Sequence, residues 1–287
     1  MAFPGSTVED VAVPHTGVTR IAPSQGWVSL ELGELWRYRE LLVFLAVRDI
    51  KVRYKQTVLG VAWAVLQPVA TALIFALVFG RLAKLPSGGL PYVVFALAGL
   101  VVWSFFSAAF DGAANSLVSN GSLVSKVYFP RLCVPIAAVV ASFIDFLIGL
   151  VVLVPVMAGY QVWGGLRILL LPIFIVLAFA AALGFALWLA PVAVKYRDVR
   201  HVIPFMLQAW LFLTPVAYST TLLDSGWRWV YALNPMVGIV EGFRWSLLGI
   251  DVAITGPALI SAGIALTVLV GGALYFRRKE RTLADVL

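Results

Sequence analysis

Six long apolar segments, almost free of charge, constrain what this chain can fold into. They cover residues 58–79, 90–110, 132–160, 168–194, 202–218 and 257–276. The first holds 22 residues without an Asp, Glu, Lys or Arg. As a helix rising about 1.5 Å per residue it reaches roughly 33 Å, enough to cross a hydrocarbon layer of about 30 Å. Composition agrees: 62% of residues are hydrophobic and 12% charged, against about half and a quarter in a soluble domain. The expected fold class is therefore all-α integral membrane, with six transmembrane helices per protomer.

Six spans put both termini on one side, and the basic residues choose the side. Sixteen Lys and Arg fall before the first span, in the second and fourth loops and after the last span; five (Arg81, Lys84, Arg167, Arg228, Arg244) fall opposite. Positive charge stays inside, so both termini are expected in the cytoplasm. The net charge of +7 then marks a membrane face rather than a nucleic-acid surface. Residues 1–30 hold no signal-like apolar run and are expected to form a flexible cytoplasmic tail. The expected organisation is that tail, an interface helix over 31–57, a six-span domain over 58–276, and a cytoplasmic C-terminus over 277–287.

Residues 31–57 have helical periodicity with two faces. Arg37, Glu40, Arg48, Lys51 and Lys55 share a stripe, and Leu32, Leu35, Trp36, Leu42, Val43, Val47, Ile50 and Tyr54 lie roughly opposite. A basic amphipathic helix with Trp on its apolar face lies on a membrane surface. Arg39 and Arg53 break the pattern and would have to snorkel.

Between the last two spans, residues 219–256 are too apolar for an exposed loop. Asn234 followed by Pro235 marks a helix start. Glu241 and Arg244 are spaced to pair. One or two short re-entrant helices are expected, with Trp227, Trp229, Tyr231 and Trp245 at the interface. A seventh full span is disfavoured, because it would bury Glu241 and Arg244 and move the C-terminal cations outside.

No G-x-x-x-x-G-K-[ST], H-E-x-x-H, G-x-S-x-G or G-x-G-x-x-G motif occurs. The single Cys excludes a disulfide framework, and the two distant His, His15 and His201, make a histidine metal cluster unfavourable. A membrane-embedded transferase would need clustered Asp, Glu or His at one face, and the chain lacks such a cluster. No catalytic residue and no metal site is expected. Asp145 is the one carboxylate deep in a predicted span. Two readings of it stand: a functional group, or a structural one bonded to Ser142 or a neighbouring helix. In the second loop, Leu117, Val118, Leu123, Val124 and Val127 form a short apolar stripe that Asn120 or Ser122 caps, a docking element for a soluble partner. In the fourth loop, Asp198 pairs with Arg197 or Arg200.

The run RYRELLVFLAVRDIKVRYKQTVLGVAWAVLQPVATALIFALVFG (37–80) resembles the opening of the membrane subunits of polysaccharide-exporting ATP-binding-cassette transporters, which move O-antigen, capsule or teichoic-acid polymers. SKVYFPR (125–131), YRD (196–198), LTPVAY (213–218), LNP (233–235) and Arg244 follow in order, so the resemblance covers about 31–280.

The resemblance implies a homodimer of this chain with two copies of a separate ATPase subunit, which would hold the ATP and magnesium; this chain would carry no cofactor and bind no nucleic acid. The substrate would be a lipid-linked glycan, O-antigen or capsule, crossing the bacterial inner (cytoplasmic) membrane; a teichoic-acid, lipid or drug exporter is the alternative. Spans one and five would wall the channel, making Trp63, Gln67, Phe75, Phe79, Gln208, Trp210, Phe212 and Tyr218 its candidate lining. Aromatic rings stack on the C–H faces of sugars without one fixed register, so a polymer can slide past them. The second loop would dock on the ATPase through Asn115, Asn120, Leu123, Val124, Lys126, Val127 and Tyr128, with Arg197 and Asp198 beside it. Arg48, Lys51, Arg53 and Lys55 would meet the substrate diphosphate. Trp227, Trp229, Tyr231, Asn234, Pro235, Glu241 and Arg244 would form an outer gate.

Overall fold

A computed structural model describes residues 32–55, 62–250 and 255–283. The expected tail, residues 56–61 with the start of the first span, and residues 284–287 of the C-terminus lie outside these. Among the described residues the chain is helical, without strands. The helices are α1 (Leu32–Arg37), α2 (Arg39–Lys55), α3 (Ala62–Phe75), α4 (Tyr92–Ser119), α5 (Gly121–Lys126), α6 (Cys133–Gly159), α7 (Leu171–Lys195), α8 (Val199–Phe212), α9 (Ser225–Tyr231), α10 (Pro235–Leu248) and α11 (Thr255–Leu283). A π-helical stretch, Ala76–Leu82, prolongs α3, and a 3-10 stretch, Gly165–Leu170, leads into α7.

Five of these stretches are long and apolar enough to cross a membrane: Ala62–Leu82, Tyr92–Ser119, Cys133–Gly159, Gly165–Lys195 and Gly256–Glu280. The expected fifth span, 202–218, is instead the 14-residue helix α8 followed by irregular chain. At 1.5 Å per residue α8 reaches only about 21 Å. The second span runs past its expected end at 110 to Ser119. Asp111 and Asn115 are therefore helical rather than loop residues.

Helix α4 is the axis of the bundle, packed by α6 on one flank and α7 on another. Its buried faces alternate small residues (Ala98, Ala109, Ala113, Ala114) with Phe95, Phe105, Phe106 and Phe110. The rings interlock with those of α6, α7 and α8. Phe105 lies 5.2 Å from Phe146, Phe106 lies 5.2 Å from Trp210, and Phe185 meets Trp210 edge-on at 4.9 Å. Such spacings are favourable for aromatic pairs. In contrast, the first span sits on the rim and leaves Trp63, Leu66, Leu73, Ile74 and Leu77 exposed. An apolar rim of this kind suits hydrocarbon, not water.

The interface helix differs from the expected single amphipathic rod. It breaks at Tyr38 into α1 and α2. Leu45 and Ala46 are buried, while Val43, Phe44, Val47 and Val52 are exposed. Its apolar residues thus divide between two faces: one packs on α6, the other stays free. Arg53 does not snorkel; it points to Asp145 of α6.

Helices α7 and α11 approach backbone to backbone at Gly184, where a Cβ would stand 2.7 Å from Leu269 N. Small residues permit such approaches between membrane helices. Trp188 flanks the contact, stacked on Tyr275 at 4.9 Å and donating to Val268 O at 3.2 Å. Gly184→Leu is expected to force the two helices apart and to destabilise the chain by about 2 kcal/mol or more. The check is thermal unfolding of the detergent-purified protein followed by gel filtration.

Candidate functional site

A cavity of about 630 Å³ opens between α3, α4, α6 and α8, beside the end of α2. It is polar for its position: Gln67, Ser104, Ser107, Asp111, Asp145 and Gln208 all line it, with Trp63 and Trp103 between them. Arg53 Nη1 and the Tyr54 hydroxyl donate to the Asp145 carboxylate at its α2 end. Asp145 is thus tied to the interface helix; Ser142 instead bonds Ala138 O of its own helix at 3.1 Å. Asp111 accepts the Asn115 amide at 2.9 Å, one turn along α4.

Of the expected channel residues, Trp63, Gln67 and Gln208 come together in this cavity. The others do not join them. Phe75 and Phe79 meet each other edge-on at 5.2 Å farther along the first span. Trp210 is locked in the aromatic core, its Nε1–H donating to Asn234 Oδ1 at 3.0 Å. Phe212 is exposed. Tyr218 donates to Phe212 O at 2.9 Å and lies 2.5 Å from the Tyr231 hydroxyl. Trp103, Ser104, Ser107 and Asp111 are cavity residues absent from the sequence-based set. Their three- and four-residue spacing was the available signal, since it puts them on one face once the second span is extended past residue 110.

The diphosphate candidates divide. Arg48 binds Asp49 Oδ1 at 2.7 Å and Asn120 Oδ1 at 2.6 Å, and Arg53 binds Asp145. Lys51 and Lys55 are exposed.

At the same end of the bundle, α5 is a separate six-residue helix. Val124 is its buried anchor and Leu123 is half-buried, while Lys126, Val127 and Tyr128 are exposed. Neither Asn120 nor Ser122 caps it through a side chain. Asn120 turns back instead, donating to Ser116 O at 2.8 Å while accepting from Arg48. Asn115 lies within α4, bonded to Asp111. Just after α5, Arg131 N donates to Glu280 Oε1 at 2.7 Å and its guanidinium bonds Glu280 O, tying the mount to α11. Arg197 and Asp198 are exposed in the turn before α8; the expected pairing of Asp198 with Arg197 or Arg200 does not occur among the described residues.

At the opposite end, Asn234 caps α10 as its position before Pro235 requires, accepting from Met236 N at 3.1 Å. Gly249, at φ 72°, closes that helix in the left-handed conformation glycine favours. Nearly all of α10 is buried, including Glu241 and Arg244. These two do not bond each other. Glu241 Oε1 accepts Thr220 N at 2.9 Å and Thr220 Oγ1 at 2.5 Å. Arg244 donates to Phe95 O at 3.0 Å, Pro215 O at 2.5 Å and Val216 O, with its guanidinium 3.7 Å from the Phe95 ring centre. Trp227 and Trp229 are exposed, and Tyr231 and Trp245 half-buried.

Among the described residues no three His, Cys, Asp or Glu side chains gather to hold a metal ion. The fold and its polar cavity define a multi-pass, all-α membrane protein. The chain belongs to the ABC-2 type transporter family, whose membrane-domain pattern matches residues 40–248. It is a transport permease subunit rather than an enzyme. Over 254 residues it is 28% identical to the O-antigen export system permease protein RfbA of Myxococcus xanthus, covering 88% of this chain and 97% of that relative. RfbA of Klebsiella pneumoniae is 24% identical over 86% of this chain and 95% of its own length. The polysialic acid transport protein KpsM of Escherichia coli is 26% identical over 84% and 94%.

Arg244→Met is expected to leave buried carbonyls at Phe95, Pro215 and Val216 unpaired and to cost about 2–4 kcal/mol. The check is the shift in detergent unfolding temperature, together with faster proteolysis within residues 213–223.

Proposed function

We propose that this chain is the permease subunit of an ATP-driven exporter that carries a lipid-linked polysaccharide, O-antigen or capsule, across the bacterial inner membrane. The observation that carries the reading is the near end-to-end similarity to O-antigen export permeases, 97% of the length of one of them. The geometry supports it. A cavity holding amides, hydroxyls, carboxylates and Trp faces lies among otherwise apolar spans, and such a mixture suits a sugar: polar groups meet its hydroxyls and rings meet its C–H faces.

In this reading two copies of the chain work with two copies of an ATPase subunit, which holds ATP and magnesium. Both termini face the cytoplasm in this reading, which the distribution of 16 and 5 basic residues supports. Helix α5 then stands at the cytoplasmic end with Lys126, Val127 and Tyr128 turned outward, available to a groove on the ATPase. Helix α8 completes a sixth crossing together with the irregular chain after it, and α9 and α10 close the outer end. Closure of the ATPase pair would push α5. The Arg48–Asn120 and Arg131–Glu280 bonds would pass that push to α2 and α11 as rigid bodies. Lys51 and Lys55, the two diphosphate candidates not engaged by Asp49, Asn120 or Asp145, would meet the lipid diphosphate first.

Cells lacking this chain are expected to accumulate lipid-linked polymer on the cytoplasmic side and to lose it from the surface, read by glycan extraction and surface labelling. A normal coat with no trapped polymer would overturn the reading. Leu123→Pro is expected to leave membrane insertion intact while reducing export at least tenfold and uncoupling ATP hydrolysis from it, since it removes both the half-buried Leu123 side chain and the N–H that bonds Asn120 O at 2.9 Å. Normal export by that variant would remove α5 from the coupling path.

A further inference from the structure

The cavity between α3, α4, α6 and α8 has a charge pattern that discriminates among polymers, an inference resting on the polysaccharide reading. Three charged residues line it: Arg53, Asp111 and Asp145. The Arg53 guanidinium is engaged by the Asp145 carboxylate. Asp111 receives a neutral amide, Asn115 Nδ2, at 2.9 Å. Among the described residues the lining thus holds two carboxyl groups against one guanidinium, the excess acidic group being Asp111 on the α4 face. Around it stand neutral donors and acceptors, Gln67, Gln208, Ser104 and Ser107, and the Trp63 ring. The volume of about 630 Å³ lies within the range of sites that hold small organic ligands, about 300–1,000 Å³.

We infer that this cavity is a binding subsite for an uncharged segment of glycan, and that its carboxylates turn polyanionic polymers away. A sugar hydroxyl donates well to a carboxylate, and such charge-assisted bonds are strong. Amide and serine groups supply the complementary donors and acceptors, and Trp63 offers a ring face to C–H surfaces. A carboxylate on the polymer would instead face Asp111 between apolar helix walls, where like charges repel more than in water. Among the described residues, the one cation in the lining, Arg53, is engaged by Asp145. On this account the chain parts company with its polysialic acid transport relative, whose named substrate carries a negative charge on every sugar.

The test uses the full chain in neutral-lipid nanodiscs, titrated with mannohexaose as the uncharged probe and hexameric α2,8-linked sialic acid as the polyanion. Binding is read from tryptophan fluorescence, since Trp63 and Trp103 line the cavity. Mannohexaose is expected to bind at least about tenfold more tightly than the sialic acid hexamer at low salt, with the gap narrowing at about 1 M salt as charge is screened. Asp111→Asn keeps the shape of the side chain and cancels the net charge. It is expected to narrow the gap about tenfold, mainly by strengthening the sialic acid hexamer. Asp111→Asn combined with Asp145→Asn makes the lining positive and is expected to reverse the preference. Equal binding of the two probes by the unaltered chain overturns the inference. So does an unchanged preference in both variants, or failure of a monodisperse chain to bind either probe. Export itself is read separately: a cell that displays a polyanionic coat dependent on this chain keeps the export reading and sinks this one.

Discussion

Backbone polar groups have no water to bond inside hydrocarbon, and this constraint organises the whole structure. Within a helix the main chain meets it through its own bonds. The segment after α8 cannot, because α8 stops at Phe212 and the chain runs irregularly until a short 3-10 turn at Thr220–Leu222. Its carbonyls are collected one by one. Leu213 O takes Asn234 Nδ2, Thr214 O takes Val216 N, Pro215 O and Val216 O take Arg244, and Ala217 O takes the Tyr92 hydroxyl. Glu241 then receives Thr220 N, and Arg228 reaches Leu223 O at 3.0 Å. The buried charges of α10 are therefore a substitute for a helix's own hydrogen bonds. Without them the chain after α8 would leave these carbonyls unpaired.

Much of this was legible in the chain before any coordinates. Apolar runs of membrane length located the long helices, because length and hydropathy are local properties. The cap at Asn234 and the short helix after Asn120 were legible for the same reason. What was not legible depended on partners far away. Glu241 and Arg244 stand three residues apart and invite pairing, yet each bonds the segment after α8, more than 20 residues distant. The packing stripe of α2 was misassigned because two apolar faces overlay one helical period, and only contact with α6 separates them. Asp145 had two readings from sequence; Arg53 and Tyr54, some 90 residues away, supply the partners that spacing alone could not identify. The cavity face of α4 was the nearest miss, since its signal was periodic but hidden by an early end to the span.

The distribution of packing bears on how such a molecule could move. Helices α4, α6 and α7 share one aromatic and alanine-lined core, where any shift of one must shift the others, because interiors are close-packed. The first span and α8 pack only lightly on that core and expose large apolar faces. Both border the cavity. The walls with the fewest packed neighbours are thus the ones whose displacement would widen it. Displacing the first span would cost mainly exposed apolar contacts, whereas displacing α8 would also draw Trp210 from among Phe106, Phe110 and Phe185.

Polar ties join the elements around those walls. Arg53 and Tyr54 fasten the end of α2 to Asp145 at one edge of the cavity, a few residues before the first span begins. Arg48 fastens the middle of α2 to Asn120 at the root of α5. Arg131 and Glu280 fasten the far side of the same loop to α11. These ties are few and partly exposed. Partly exposed ion pairs contribute little net stability, of order 1 kcal/mol or less. A tie of that strength can be exchanged during a work cycle without endangering the fold. The core, by contrast, is built from contacts that no cycle could afford to break. The division between exchangeable polar ties at the α5 end and a fixed aromatic core follows from where this chain spends its few charges. Arg48, Arg53, Asp145, Arg131 and Glu280 make the ties at that end, and the buried pair Glu241 and Arg244 holds the irregular segment at the other.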